Sequence, residues 1–444
     1  MRILQYTLGL PPFRRGGLPR YSTDLSEELS KDNEVYLMYP GQINPFSHKI
    51  RLSKKKTKYL FQTIEMKNPL PVSLGLGIED EDYYMQKRNI TALKKLIKDI
   101  KPDVVHLHTL MGLPKEFLEY LHTNKIKTVY TTHDFYGLCP KMLKQNPKKE
   151  LKTSKCTYDC MLCNVGPSYK KILVMQSHLY ANLKDSHVVK RLRSRSKSSL
   201  SSQSNSVLFS NEQINKRYDL RKYYLDMFNL IDLFHFNSSV SKEYFQQYFP
   251  DIQGKIIPIT HDNLMDDREN SNLEVNKPIH LGYIGPYDEK KGFYVYTQVL
   301  KKLDIKNKFE AHFYGDIVDR PIFQKSYCIN HGIISENRMD KAYSNLDLLV
   351  VPSLWHETFG YVVLEALLEG VPCLVSKNVG AKDLIPGSWV FEDSMDLNEL
   401  LSELIAKPDK IYRMKVQVSK LNINYKLAEH VNLIKELYDS TINI

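Results

Sequence analysis

The chain has 444 residues, 42% of them hydrophobic, which is enough for two or three packed domains. No apolar run approaches the roughly 18–20 residues of a membrane span, and MRILQYTLGLPPF lacks the long apolar core of a signal peptide, so a cytoplasmic protein is expected. The formal charge of +11, with basic runs at 54–58, 148–155 and 190–197, leaves two readings open: an anionic partner such as a membrane surface, or a solvated lysine-rich face.

In chain order, RILQYTLG (2–9) reads as a first strand and leads into PPFRRGGLPRYSTDL. Gly16 and Gly17 precede a helix from about Tyr21, and a glycine pair there is either a plain turn or a backbone cradle for a phosphate, with Arg14, Arg15 and Arg20 nearby. EVYLMY (34–39) is a second strand, whereas 41–90 shows no clear period. Ile90–Ile100 has the spacing of a basic amphipathic helix. PDVVHLHTL is a buried strand carrying His106 and His108, and KTVYTTHDFYG a strand ending at His133 and Asp134.

Cys139, Cys156, Cys160 and Cys163 then cluster within 25 residues. Without an export signal they are expected to be either reduced thiols or the four ligands of a structural zinc. A helical region follows at Ser168–Leu183. Residues 185–212 are rich in Ser, Arg and Lys but have no aromatic platform, so no nucleic-acid partner is expected. LIDLFHFNSSVSKEYFQQYF reads as strand, Ser-rich turn and helix. The polar, aperiodic stretch 263–278 reads as a linker between a domain at 1–262 and another at 279–424.

The second domain opens with IHLGYIGPYDEKKGFYVYTQVLKKL as strand, loop and helix. Its centre is DLLVVPSLWHETFGYVVLEALLEGVPCLVS (347–376), a strand–loop–helix–strand unit of the kind that builds a helix-covered parallel sheet. Glu357 stands in the loop, Glu365 two turns into the helix, and Thr358, Phe359 and Gly360 at the helix start. A helix N-terminus attracts an anion and carboxylates accept from sugar hydroxyls, so this unit suits a nucleotide sugar. Thr358 is expected to cap the helix or touch a phosphate.

The 352–372 segment resembles the C-terminal signature of retaining GT-B glycosyltransferases, the family of glycogen synthase-like and capsule-assembling enzymes. Glu357 and Glu365 fill its two acidic positions, and Phe359, Gly360, Ala366, Gly370 and Pro372 also match. Gly285, Lys291 and Gly292 match its phosphate-binding element, with Pro286 where the family has arginine. Gly16–Gly17 match its glycine loop, and Gly380 and Asp383 a later loop. The resemblance is sharpest over 281–390 and thin across 41–95 and 141–230.

The resemblance implies two Rossmann-like α/β domains facing a cleft, with the last helix (425–444) packed back on the first. It implies retaining transfer of a hexosyl group from a UDP- or GDP-sugar to a glycan or lipid-linked acceptor at the inner face of the membrane, with no catalytic metal. Glu357 would hold sugar hydroxyls, Glu365 the ribose, His133 the donor sugar, and Lys291, Gly285, Thr358 and the Phe359–Gly360 helix end the diphosphate. The missing arginine leaves a non-catalytic partner subunit as the alternative, and a sugar-nucleotide epimerase as a more distant one.

Overall fold

The computed structural model describes residues 1–14, 16–73, 78, 80–138, 168–183, 186, 211–303, 308–318, 320–334 and 339–442. Cys139, Cys156, Cys160 and Cys163 lie outside the described residues, as do the basic runs at 148–155 and 190–197 and Arg15.

The first lobe is an eight-stranded sheet: β1 (Arg2–Tyr6), β2 (Glu34–Pro40), β3 (Arg51–Lys55), β4 (Gln62–Lys67), β5 (Val104–Leu107), β6 (Lys127–Thr131), β7 (Leu233–Phe236) and β8 (Gly254–Ile256). Its order is β3-β4-β2-β1-β5-β6-β7-β8, parallel except where β3 meets β4. β5 and β7 are buried at every position, as expected of strands covered on both faces. β3 explains why 41–90 was illegible. It is a half-exposed edge strand, so neither face imposes a period, and its lysines keep other strands from pairing there. Around the sheet lie α1 (Gly17–Leu29), α2 (Thr91–Ile100), α3 (Lys115–Thr123), α4 (Tyr169–Met175), α5 (His178–Leu183), α6 (Asn211–Phe228) and α7 (Ser239–Gln246). The single helix expected over 168–183 is two. At the break, Gln176 accepts from the Val72 N–H (3.0 Å) and donates to the Gly41 carbonyl (3.1 Å), so tertiary bonds override local propensity.

The second lobe is a wholly parallel six-stranded sheet of β9 (Ile279–Ile284), β10 (Phe309–Tyr314), β11 (Cys328–Gly332), β12 (Leu348–Val351), β13 (Cys373–Ser376) and β14 (Val390–Phe391). The order β11-β10-β9-β12-β13-β14 reverses between β9 and β12, which opens a crevice at the C-terminal ends of those two strands. Its helices are α8 (Phe293–Leu303), α9 (Met339–Ser344), α10 (Tyr361–Leu368), α11 (Ser394–Ala406), α12 (Pro408–Val418) and α13 (Leu427–Ile442).

α13 returns to the first lobe and packs on α1. There the Tyr438 hydroxyl lies 2.7 Å from His106 Nδ1, and the Tyr21 hydroxyl 2.7 Å from His430 Nε2. The segment between lobes is anchored by a buried ion pair. Lys415 Nζ lies 2.8 Å from Asp347 Oδ1 and donates to the carbonyls of Asn272 (3.2 Å) and Glu274 (2.7 Å). Asp347 in turn accepts from the backbone N–H groups of Asn276 and His280.

Candidate active site

A cavity of about 560 Å³ lies between the lobes, lined by loops that follow β1, β6, β9 and β12. Gly17 and Leu18 come from the start of α1 just after the first loop, His133–Phe135 from the second, Asp288, Lys290 and Lys291 from the third, and Trp355–Gly360 from the fourth with Tyr361 at the start of α10.

The third and fourth loops are locked together. The Lys290 carbonyl accepts from the N–H groups of Leu354 (2.9 Å) and Trp355 (3.1 Å) and from the Ser353 hydroxyl (3.2 Å). Gly292, at φ +71°, allows the approach: a Cβ there would stand 1.7 Å from the Pro352 carbonyl oxygen. Residues 376–380 then zip onto the fourth loop. The Glu357 N–H donates to Asn378 O (2.8 Å), and the Gly380 N–H donates to Glu357 O (2.9 Å).

This framework brings Lys291 Nζ to 2.9 Å from Glu357 Oε2. The other oxygen, Glu357 Oε1, is buried and has no hydrogen-bond partner among the described residues. A carboxylate with one oxygen on an ammonium and the other unoccupied is an acceptor ready for a hydroxyl. Immediately beyond it, Gly360 at φ +106° opens α10, and no side chain caps that helix end. On the facing wall, burial pushes the Asp134 carboxyl up to about 6, against the lowering effect of the Tyr136 N–H that donates to it.

Of the residues singled out in the sequence, the structure gathers Gly17, His133, Lys291, Glu357, Thr358, Phe359 and Gly360 on this cavity and leaves Gly16, Gly285 and Glu365 off its lining. Two orientations differ from expectation. Thr358 does not cap α10: its hydroxyl donates to the His133 carbonyl across the lobes (2.9 Å), while its carbonyl accepts from Ser238 Oγ (2.6 Å). Glu365 turns to the Tyr343 hydroxyl (2.8 Å) and lies 3.6 Å from His261 Nε2, so only one of the two glutamates faces the cavity. His133 lines the cavity, but its Nε2 is 3.2 Å from His108 Nδ1. Arg14 lines a different cavity and Arg20 pairs with Asp24, which leaves Lys290 and Lys291 as the cavity's lysines.

The later loop singled out in the sequence joins the lobes: the Asp383 carboxylate accepts from the Ser239 N–H and hydroxyl (both 2.6 Å) at the N-terminus of α7 in the other lobe. Gly380, from the same loop, packs into this contact, where a Cβ would meet Thr358 O and Ser238 Oγ. The stretch KNVGAKD (377–383) gave no hint of an interlobe contact, because Ser238 and Ser239 lie more than a hundred residues away.

Behind His133 sits a set of buried histidines. His106 Nε2 and His235 Nδ1 both meet the Thr131 hydroxyl (2.7 and 2.9 Å), and His108 Nε2 meets Gln5 Oε1 (2.8 Å). Burial holds them neutral, with His235 pushed down to about 4 and His430 to about 3. In the unfolded chain these rings take up protons below about pH 6.5 while the folded chain does not. Stability is therefore expected to be full above about pH 6.5 and to fall as pH drops toward 4, by up to about 1.4 kcal/mol per ring per pH unit. Urea unfolding at pH 7, 6 and 5 checks this, and a midpoint that does not move would refute it.

The residues 15–163 match the model of Glycosyltransferase Family 4, and 278–407 that of Glycosyl transferases group 1. An uncharacterized 42.6 kDa protein of the cps region of Klebsiella pneumoniae is 23% identical over 345 residues, 76% of this chain and 74% of that protein. A 41.2 kDa protein of the same region is 29% identical over 141 residues, of which the match spans only 38% of that protein. Solved structures share the fold: sucrose-phosphate synthase of Thermosynechococcus elongatus (TM-score 0.55, 15% identity, 99% of both chains) and Anabaena HepE with UDP (TM-score 0.56, 13% identity, 99% and 100%). With a family 4 first lobe, a group 1 second lobe and this two-sheet architecture, the chain belongs to the GT-B glycosyltransferases of group 1.

Proposed function

We propose that the protein transfers a hexosyl group from a UDP- or GDP-sugar to a hydroxyl, with retention, in the assembly of a cell-surface polysaccharide or glycolipid. The observation that carries this is the Lys291–Glu357 pair beside the uncapped end of α10, on a cavity between two lobes. The Klebsiella relatives of the cps region and HepE solved with UDP support the setting and the donor class.

In this reading the donor diphosphate lies over the first turn of α10 and takes Lys291 as its counter-charge, with Lys290 compensating for the arginine that Pro286 replaces. Glu357 accepts from the sugar hydroxyls through Oε1. His133, with Nε2 engaged by His108, has Nδ1 left for the sugar. Glu365, expected from the resemblance to hold the ribose, is held by Tyr343 off the cavity lining and has no role in this reading. The bond from the anomeric carbon to the β-phosphate oxygen breaks, the bond to the acceptor oxygen forms, and the acceptor proton passes to the departing phosphate. The residues' part is to orient and to stabilise the developing diphosphate charge.

The acceptor is placed in a second cavity of about 540 Å³, lined by Phe13, Tyr39, Tyr59, Met175 and Tyr180 and rimmed by Arg14, Lys55 and Lys58. Residues 9–14 line this cavity, and Gly17 and Leu18 at the start of α1 line the first. Apolar walls under a basic rim favour a lipid-linked acceptor at an anionic membrane surface. Among the described residues no helix is long and apolar enough to cross a membrane, so attachment would be at the surface. Flotation with vesicles containing anionic lipid is expected to capture the protein at low salt and release it as salt rises; salt-independent recovery in the soluble fraction would refute surface attachment.

The direct test is nucleotide release from a panel of UDP- and GDP-sugars with calorimetric binding of the same donors. Turnover of one donor class supports the reading. Donor binding by none of them, with stable co-purification of a related transferase, would instead favour a non-catalytic partner.

A further inference from the structure

Away from the cleft, β9 and β10 carry three side chains that no part of the transfer reaction uses. Glu310 pairs in register with His280, and His312 follows Glu310 by two residues, so all three share one face of the sheet. His280 Nε2 lies 3.6 Å and His312 Nε2 3.7 Å from the same oxygen, Glu310 Oε2. The three ligand atoms lie within 4.8 Å of one another.

These are not hydrogen bonds, which would be about 2.7–3.2 Å long. The far side of each ring shows why. His280 Nδ1 is 2.9 Å from the Asn345 carbonyl, which can only accept, so Nδ1 holds the proton and Nε2 presents a lone pair. His312 Nδ1 is 2.9 Å from His331 Nε2, while His312 Nε2 is buried with no hydrogen-bond partner. The lone pair that His280 Nε2 turns toward the carboxylate oxygen repels it unless a cation stands between them. Zinc bonds of about 2.0–2.1 Å in a tetrahedron set ligand atoms roughly 3.4 Å apart, close to the spacings found. Each ring is oriented through its other nitrogen, the usual support for a metal-bound histidine.

We propose that His280, Glu310 and His312 bind one divalent transition-metal ion, Zn²⁺ by their chemistry, as a three-ligand site whose fourth position is open to solvent. Glu310, with 35% of its side chain exposed, gives the ion its way in. The ion clips β9 to β10, two neighbours followed by Gly285 and Gly315, where Gly315 is pressed on the Gly285 carbonyl. The site is thus a brace for the second lobe and takes no part in the transfer.

The test uses tag-free, full-length protein stripped with chelator and titrated with Co²⁺, then with Zn²⁺ in competition. One equivalent of cobalt is expected to give a visible d–d spectrum without the thiolate charge-transfer band that cysteine ligands would add. Glu310→Gln and His280→Ala, each at a partly exposed position, are expected to weaken that binding at least about tenfold and to abolish the rise in melting temperature on adding Zn²⁺, while circular dichroism stays unchanged. Absence of a thiolate-free cobalt band in the parent protein, or its persistence in both variants at the same cobalt concentration, would overturn the proposal.

Discussion

Glu357→Gln is expected to lower nucleotide release from the donor sugar by about 10²–10³-fold, equivalent to about 2.7–4 kcal/mol of transition-state stabilisation. The substitution keeps the shape of the side chain but removes the charge that holds Lys291 at 2.9 Å, and it turns one acceptor into a donor. The backbone of residue 357 is fixed by Asn378 and Gly380, so the loop itself is expected to stay in place and the melting temperature to change little. Lys291→Met should weaken donor binding as well as turnover, because its charge meets the diphosphate in the bound complex. In the double variant the losses should fall short of their sum, as for groups acting as a unit. Initial rates with saturating donor, together with donor affinity by calorimetry, separate these effects. Turnover within about threefold of the parent in Glu357→Gln would remove the carboxylate from the mechanism.

The largest stability effect is expected from Lys415→Met. The ammonium is 4% exposed and Asp347 fully buried, and the pair holds the carbonyls and N–H groups of residues 272–280 around it. Removing the cation leaves Asp347 charged and buried with only N–H donors, an arrangement that costs about 3–5 kcal/mol. The double substitution Lys415→Met with Asp347→Asn should recover part of the loss, since no uncompensated charge remains. Denaturant unfolding followed by tryptophan fluorescence reads this directly, because Trp355 and Trp389 are both in the second lobe. A loss under about 1 kcal/mol in the single variant would show that water or another group already compensates Asp347.

What the sequence made legible was local. The strand at 348–351, the helix behind Gly360 and the next strand follow from an apolar run, a glycine and a second apolar run, and each element is fixed by its own residues. The two-sheet architecture followed from that unit and from the resemblance that it carries. The direction of each side chain did not follow. Glu365 is turned by Tyr343, 22 residues upstream, and Thr358 by a carbonyl 225 residues away in the other lobe. Nothing within a short window of sequence encodes such partners. The histidine pair at 106 and 108 shows the same limit. Their strand was plain, but the network that buries their charge runs through Thr131, His235 and α13.

The chain passes between the lobes twice, once through the residues after β8 and once through those before α13. The two passages are stitched together: Arg268 donates to the carbonyls of Val418 (3.1 Å) and Leu421 (2.7 Å), and the Thr260 hydroxyl donates to the Tyr425 carbonyl. Two ribbons fastened side by side behave as one strap. Sliding or twisting of the lobes would shear those bonds, whereas bending across the strap would spare them. A bend about this strap is thus the movement that keeps those bonds, and it would be opposed by the contacts that Asp383 and Thr358 make with the first lobe, as a catch opposes a door.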